Sequence, residues 1–152
     1  MECSKPNKTW KENHHLSDTG HLLTSDLTGK AVRLHYKSGH VLEQHWLTGH
    51  CILWKGISGG LDGHSQTEEY NAVKIADNIY LISWIEASTT TVVNGLDISG
   101  PWLTDVVLDF EKMIATASWM GPTKNGQVEH VLDQATMHYI ECESMVINSE
   151  NK

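Results

Sequence analysis

The segment Ile79-Tyr80-Leu81-Ile82-Ser83-Trp84-Ile85-Glu86 decides the fold of this chain. Side chains alternate between the two faces of a strand, so one face carries Tyr80, Ile82, Trp84 and Glu86. The opposite face is almost as apolar, and we therefore expect both faces to be covered near the middle of the strand. Glu86, which ends the aromatic face, has two interpretations. It is either a strand-end carboxylate in water or a desolvated acid whose raised pKa suits general acid catalysis near neutral pH.

The rest of the chain is punctuated like an antiparallel β protein. Turn signals such as Lys37-Ser38-Gly39 and Asp77-Asn78 recur at intervals of about 8–12 residues, and no long segment has a helical period. The alternating stretches are Ala31–Tyr36, His40–Leu47, Cys51–Gly56, Glu68–Ala76, Ile79–Glu86, Thr89–Ile98, Asp105–Phe110, Ile114–Trp119 and Val128–Glu141. This pattern predicts an all-β barrel or sandwich of about nine strands.

Length and charge narrow the class of protein further. The chain has 152 residues and a formal net charge of −8, which suit one domain and argue against a nucleic-acid or anionic-membrane binder. We expect a polar N-terminal extension over residues 1–24, one domain over 25–147 and a tail over 148–152. Three widely spaced cysteines outside any CxxC pair predict structural thiols and a cytoplasmic protein. No spacing typical of a metal site is present.

Several short motifs, taken in order, resemble a known group of proteins. They are Gly29-Lys30, Tyr36-Lys37-Ser38-Gly39, Glu43, Trp54-Lys55, Ser58-Gly59-Gly60, Ala72-Val73-Lys74-Ile75, Ile79 to Glu86, and Thr104-Asp105-Val106-Val107-Leu108-Asp109-Phe110. In order and spacing the chain resembles the phenolic acid decarboxylases and the related MoaF-like proteins. The resemblance implies a small lipocalin-like (calycin) antiparallel β-barrel of about eight or nine strands.

The resemblance also implies a candidate site without metal or organic cofactor. Glu86 matches the decarboxylase glutamate, and Tyr36 matches the second of two tyrosines, whose first position is occupied here by Leu34. Lys55 falls at the position of the arginine, which keeps the charge but loses the bidentate fork. About a dozen extra residues between Glu86 and Thr104 are expected to reshape or cap the site. The decarboxylases are dimers, so the resemblance also implies a homodimer.

We therefore expect a catalytic group of Glu86, Lys55 and Tyr36 that faces inward at one barrel mouth. A Lys–Glu pair there would either exchange protons with a substrate or simply fix the mouth as a buried ion pair. The expected substrate-binding residues are Leu34, Trp46, Tyr80, Trp84, Trp102, His130 and His138. For the last strand the register stays open, since either His130 and His138 or Val131, Ala135, Met137 and Tyr139 could face inward.

The leading functional hypothesis is a cofactor-independent enzyme. It would use acid–base proton transfer, as a lyase, isomerase or cyclase with decarboxylation as the familial precedent, on a small aromatic or hydrophobic metabolite. The first alternative is a non-catalytic, lipocalin-like binding protein with the same pocket. A weaker alternative is a structural or regulatory subunit, which only the polar N-terminal arm and the histidines suggest.

Overall fold

A computed structural model describes residues 15–16, 19–93 and 96–143, excluding the side chains of 87–93 and 96–100. Nine strands follow one another, and no helix occurs in this described part of the chain. The strands are β1 (Leu22–Leu23), β2 (Ala31–Tyr36), β3 (Val41–Trp46), β4 (Cys51–Ser58), β5 (Ser65–Ala76), β6 (Ile79–Val93), β7 (Leu96–Asp109), β8 (Ile114–Pro122) and β9 (Val128–Ile140).

Strands β2 to β9 form a closed up-and-down barrel. Each pairs antiparallel with its neighbours in sequence, and the β2–β9 ladder closes the circle. Strand β5 pairs with β4 through Ser65–Glu69 and with β6 through Tyr70–Ala76, while the two-residue β1 pairs with Val73 and Lys74. Closure leaves the barrel without open sheet edges. The prediction of an all-β, lipocalin-like barrel is confirmed, with eight barrel strands and one extra strand.

The interior of the barrel has two ends, which differ in the residues that line them. At one end, called here the Leu27 end, the fully buried Leu27 and Trp46 pack with Phe110 and Tyr80. At the other end, called the Tyr36 end, β2 turns into β3, β4 into β5 and β8 into β9. Hydrophobic burial at the Leu27 end supplies much of the driving force for folding.

The residues between Glu86 and Thr104 lengthen β6 and β7. Their ladder runs from Ile79↔Asp109 to Glu86↔Trp102, shifts register, and continues from Thr89↔Gly100 to Val93↔Leu96. Strands of 15 and 14 residues are much longer than β2 and β3, which have six each. The extra residues therefore extend a hairpin from the Tyr36 end.

The cysteine prediction needs a correction. Cys51 is fully buried on β4 and is disulfide-bonded, whereas Cys142 is free. The cysteines therefore no longer support the prediction of a cytoplasmic protein. Residues 1–14, 17–18 and 144–152 lie outside the described residues, so the extension and the tail remain predictions. Within the described residues no helix has the length and apolar character needed to span a membrane.

Candidate functional site

Glu86 lies on the inner face of β6, as the alternation predicts. Tyr80, Ile82 and Trp84 on the same face are buried, whereas Ile85 on the opposite face is 62% exposed. The Glu86 side chain is partly buried, and Thr104 of the neighbouring strand β7 donates a hydrogen bond from Oγ1 to Glu86 Oε1 at 3.3 Å. The carboxyl group is therefore held inside the barrel near the Tyr36 end.

The surroundings of Glu86 favour its neutral form. Burial raises the pKa of the Glu86 carboxyl to about 7, because the ionised form loses hydration. The Thr104 hydroxyl and the adjacent Trp84 indole N–H act in the opposite direction without offsetting burial. The Trp84 indole makes no hydrogen bond of normal geometry within the described residues. Near neutral pH, Glu86 can therefore both donate and accept a proton.

Trp102 forms a wall beside Glu86. It is the β7 residue paired with Glu86, it is buried, and its Nε1 donates to the carbonyl oxygen of Pro122 at 2.9 Å. The indole lies directly on Gly121, where an added Cβ would come within 2.4 Å of the ring. Since no larger residue fits there, Gly121 determines the position of the Trp102 ring.

Tyr36 and Leu34 both face inward from β2. Leu34 is fully buried, and the buried Tyr36 ring packs against Trp119 with 5.1 Å between ring centroids. Burial, followed by the negative charge of Asp133, raises the pKa of Tyr36 well above its ordinary value. The phenol is therefore neutral, and among the described residues its hydroxyl has no hydrogen-bond partner.

Lys55 does not face the interior, which corrects the prediction of an inward Lys–Glu pair. Its ammonium group forms an ion pair with Glu143 on the outside of the barrel. On β4 the alternate residues Ile52 and Trp54 belong to the core, so the inward position is that of Trp54. A strand has a period of two, and a displacement of one residue therefore exchanges the two faces.

His130 and His138 also lie on the outer surface, which corrects their assignment as substrate-binding residues. Both are exposed; His130 is hydrogen-bonded to Ser118 at 2.8 Å, and His138 stacks on His35. Pairing of β9 with β2 and β8 places Ala135 and Met137 in the core instead. For Ala135 and Met137 the register of β9 agrees with the second alternative, whereas Tyr139 is 56% exposed.

Tyr80 and Trp46 are buried, but they belong to the Leu27 end. The Tyr80 hydroxyl donates to Asp26 Oδ2 at 3.0 Å, and both rings make edge contacts with Phe110. They support the barrel away from Glu86. Of the predicted binding residues, the structure brings Trp84 and Trp102 next to Glu86 and places Leu34 beneath Tyr36 on β2.

Sequence reasoning missed several polar residues of the interior. His40, Gln44 and Glu68 are all buried inside the barrel. Strand alternation from Trp46 and Tyr70 could have placed His40, Gln44 and Glu68 inside. The described residues contain no group of three or more His, Cys, Asp or Glu side chains arranged to hold a metal ion.

The fold and the interior define the class of protein as a lipocalin-like barrel with an acidic residue inside one end. Residues 21–142 match the MoaF C-terminal domain family, and the chain therefore belongs to that family. This match confirms the MoaF-like part of the resemblance.

One solved structure similar to this chain comes from Burkholderia vietnamiensis and carries the provisional name of a beta-lactamase. It has 16% sequence identity and a TM-score of 0.58, and the alignment covers 75% of this chain and 95% of that chain. At this identity the likeness supports the fold alone. No curated protein matches the chain.

Proposed function

We propose that this protein is a cofactor-independent enzyme that transfers protons to and from a small aromatic or hydrophobic molecule. The observation that carries the proposal is Glu86, an inward carboxyl with a pKa of about 7 beside Trp84 and Trp102. A general acid works best when its pKa lies near the working pH, and flat aromatic walls favour a planar ligand.

The reaction begins with Glu86 in its protonated form. The carboxylic acid donates its proton to an alkene carbon or a carbonyl oxygen, and the resulting carboxylate then accepts a proton from another position of the same molecule. The neutral Tyr36 phenol has its hydroxyl free to donate a hydrogen bond to the reacting molecule. Such a sequence serves an isomerase, a cyclase or a lyase without a cofactor.

The inner-face charges favour isomerisation or cyclisation over decarboxylation. At the Tyr36 end, no Lys or Arg is among the inward-facing residues of the described strands, because Lys55 and Arg33 point outward. A carboxylate substrate would therefore have no cation to pair with in the interior and would bear a large desolvation cost. The substrate class that fits is neutral.

Deuterium exchange tests the proposal directly. The protein is incubated in D2O with a panel of neutral phenols, enones and vinylphenols, and ¹H NMR follows exchange or rearrangement of each. Glu86→Gln keeps the size of the side chain and should lower the rate about 10²- to 10⁴-fold, which is the usual contribution of a general acid or base. The rate should also fall as pH rises through about 7, since the protonated acid is lost.

Two matched variants control this experiment. Glu111→Gln alters an exposed glutamate in the β7–β8 turn and should leave the rate unchanged. Glu68→Gln alters the other buried glutamate of the inner face. It shows whether the loss of any interior carboxyl group lowers the exchange rate or only the loss of Glu86 does. Undiminished exchange in a folded Glu86→Gln variant would overturn the assignment.

A non-catalytic ligand-binding protein is the second candidate. The observation in its favour is a set of buried polar atoms of the interior that have no partner among the described residues: Tyr36 Oη, both His40 ring nitrogens, Gln44 Oε1 and Trp54 Nε1. Buried polar groups are ordinarily hydrogen-bonded, and a ligand could satisfy these. On this alternative, Glu86→Gln changes ligand affinity while no molecule of the panel exchanges or rearranges.

A further inference from the structure

We propose that His40 and Tyr36 form a second polar subsite of the barrel, which binds a hydroxyl or carbonyl oxygen of a neutral, planar ligand. This inference rests on the proposed location of the ligand in the Tyr36 end, and it adds the chemical group that is recognised. It does not require that the ligand be converted.

The hairpin register directs His40 into the barrel. Strands β2 and β3 pair from Ala31↔His45 to His35↔Val41, so the next pair is Tyr36 with His40, and the Tyr36 amide donates to the His40 carbonyl at 2.8 Å. Directly opposed residues of an antiparallel pair lie on the same face of a sheet. Since Tyr36 faces the interior, His40 does as well.

Burial leaves the His40 ring without partners. The residue is 3% exposed, yet neither Nδ1 nor Nε2 has a hydrogen-bond partner among the described residues. The buried His45 of the same strand behaves differently. Its Nε2 bonds Glu43 Oε1 at 2.9 Å and its Nδ1 accepts from the amide of Glu143 at 3.1 Å. A buried imidazole with two unused nitrogens is unusual in a folded protein and indicates a ligand site.

The β4–β5 loop covers His40 from outside the barrel. Gly59 lies so close to the hairpin that an added Cβ would come within 2.6 Å of the Gly39 carbonyl oxygen. Gly60 would place a Cβ 3.3 Å from His40 Cε1, and both glycines have positive φ angles. Leu61 continues inward and packs against the core. The loop thus shields the ring from bulk water.

Tyr36 lies opposite His40, and the other unpartnered polar groups lie farther along the inner face of β3 and β4; together they determine the ligand chemistry. The Tyr36 hydroxyl and the Trp54 indole N–H are donors, Gln44 Oε1 is an acceptor, and a neutral imidazole offers one of each. A phenolic hydroxyl or a conjugated carbonyl can use both kinds of group. No Lys or Arg joins these residues on the inner face of the described strands, so the set suits an uncharged oxygen.

A pair of probes in which a methyl group replaces the hydroxyl proton tests the subsite. 2-Naphthol and 2-methoxynaphthalene share a planar ring system, and calorimetry or tryptophan fluorescence measures the Kd of each for wild-type protein, His40→Phe and the exposed control His130→Phe. We expect wild-type protein and His130→Phe to prefer 2-naphthol about tenfold, equivalent to one or two hydrogen bonds. In His40→Phe the preference should fall to about twofold or less.

A spectroscopic measurement protects the test against misfolding of the variant. In ¹⁵N-labelled wild-type protein, 2-naphthol should shift the His40 ring-nitrogen resonances, and 2-methoxynaphthalene should shift them much less. Absence of binding to wild-type protein, equal Kd values for the two probes, or unmoved His40 resonances would each overturn the subsite. Failure of the proposed catalysis is distinguishable, because wild-type protein would then exchange or rearrange no molecule of the panel while it kept the preference for 2-naphthol.

Discussion

Two regions of the barrel each hold a glutamate away from bulk water, and they treat it in opposite ways. Glu43 lies on the outer face of β3 beneath the segment 141–143, and Glu86 lies on the inner face of β6 at the Tyr36 end. The pKa of Glu43 is lowered, whereas that of Glu86 is raised to about 7. The same side chain therefore has a different charge at neutral pH in the two regions.

Neighbouring cations act on Glu43 and not on Glu86. Burial raises the pKa of Glu43 as well, but hydrogen bonds from His45 and Arg33, together with the positive charge of Arg33, more than reverse this effect. Arg33 donates to Glu43 Oε2 from Nε at 2.9 Å and from Nη2 at 2.5 Å. For Glu86, the described groups that lower the pKa are the Thr104 hydroxyl and the Trp84 indole, and neither is charged. An ion-pair network of this kind stabilises the fold, whereas an uncompensated carboxyl is suited to proton transfer.

Removing the Glu43 carboxylate should produce the largest loss of stability. Glu43→Gln leaves Arg33 without its counter-ion and weakens the contact with the buried His45. We expect a loss on the order of 3 kcal/mol in the free energy of unfolding, at the low end for a broken buried pair because Arg33 is partly exposed. Urea unfolding at pH 7, with Glu111→Gln as the control, measures it. A loss no greater than that of the control would show that the network contributes nothing.

Replacing Glu86 should have the opposite effect above neutral pH. The raised pKa means that the folded protein binds the Glu86 proton more tightly than the unfolded chain does. Its stabilising contribution is therefore present below about pH 4.5 and is lost as pH rises through about 7. Glu86→Gln cannot ionise and does not suffer this loss. The free energy of unfolding of the variant minus that of wild-type protein should therefore be about 2–3 kcal/mol larger at pH 8 than at pH 4.5. A pH-independent difference in urea unfolding would contradict the raised pKa.

Displacing the Trp102 ring should reduce the desolvation of Glu86, and its effect on stability should be smaller than the effects of replacing Glu43 or Glu86. Gly121→Ala forces a methyl group into the indole ring and should cost about 1–2 kcal/mol of stability, as overpacking usually does. Displacement of the ring should also admit water and lower the pKa of Glu86, which ¹³C NMR of the carboxyl carbon follows. An unchanged Glu86 titration in the folded variant would mean that Trp102 does not shield it.

The smallest effect is expected for Lys55, which the structure places outside. Lys55→Met removes an ion pair with Glu143 in which both side chains are partly exposed, so the loss of stability should stay below about 1 kcal/mol. Deuterium exchange and the titration of Glu86 should be unchanged. A loss of exchange comparable to that of Glu86→Gln would place Lys55 in the site after all.

The sequence alone predicted the barrel and the inward face of β6. Turn spacing and the period of two determined the strands, because each strand has to bury one face against the same interior. The same period put Glu86 and Trp84 on one face of Ile79 to Glu86, where the structure has them. These features are local, so neighbouring residues carry the information.

Pairing between distant strands decided the rest. Whether Lys55 or Trp54 faces inward, and whether His138 or Met137 does, depends on a register that changes face with a shift of one residue. Closure of β2 on β9 joins residues about a hundred positions apart, and it fixes that register for the last strand. The counter-ions of Glu43, the unpartnered ring of His40 and the raised pKa of Glu86 all follow from those long-range pairings, and only the tertiary structure determines them.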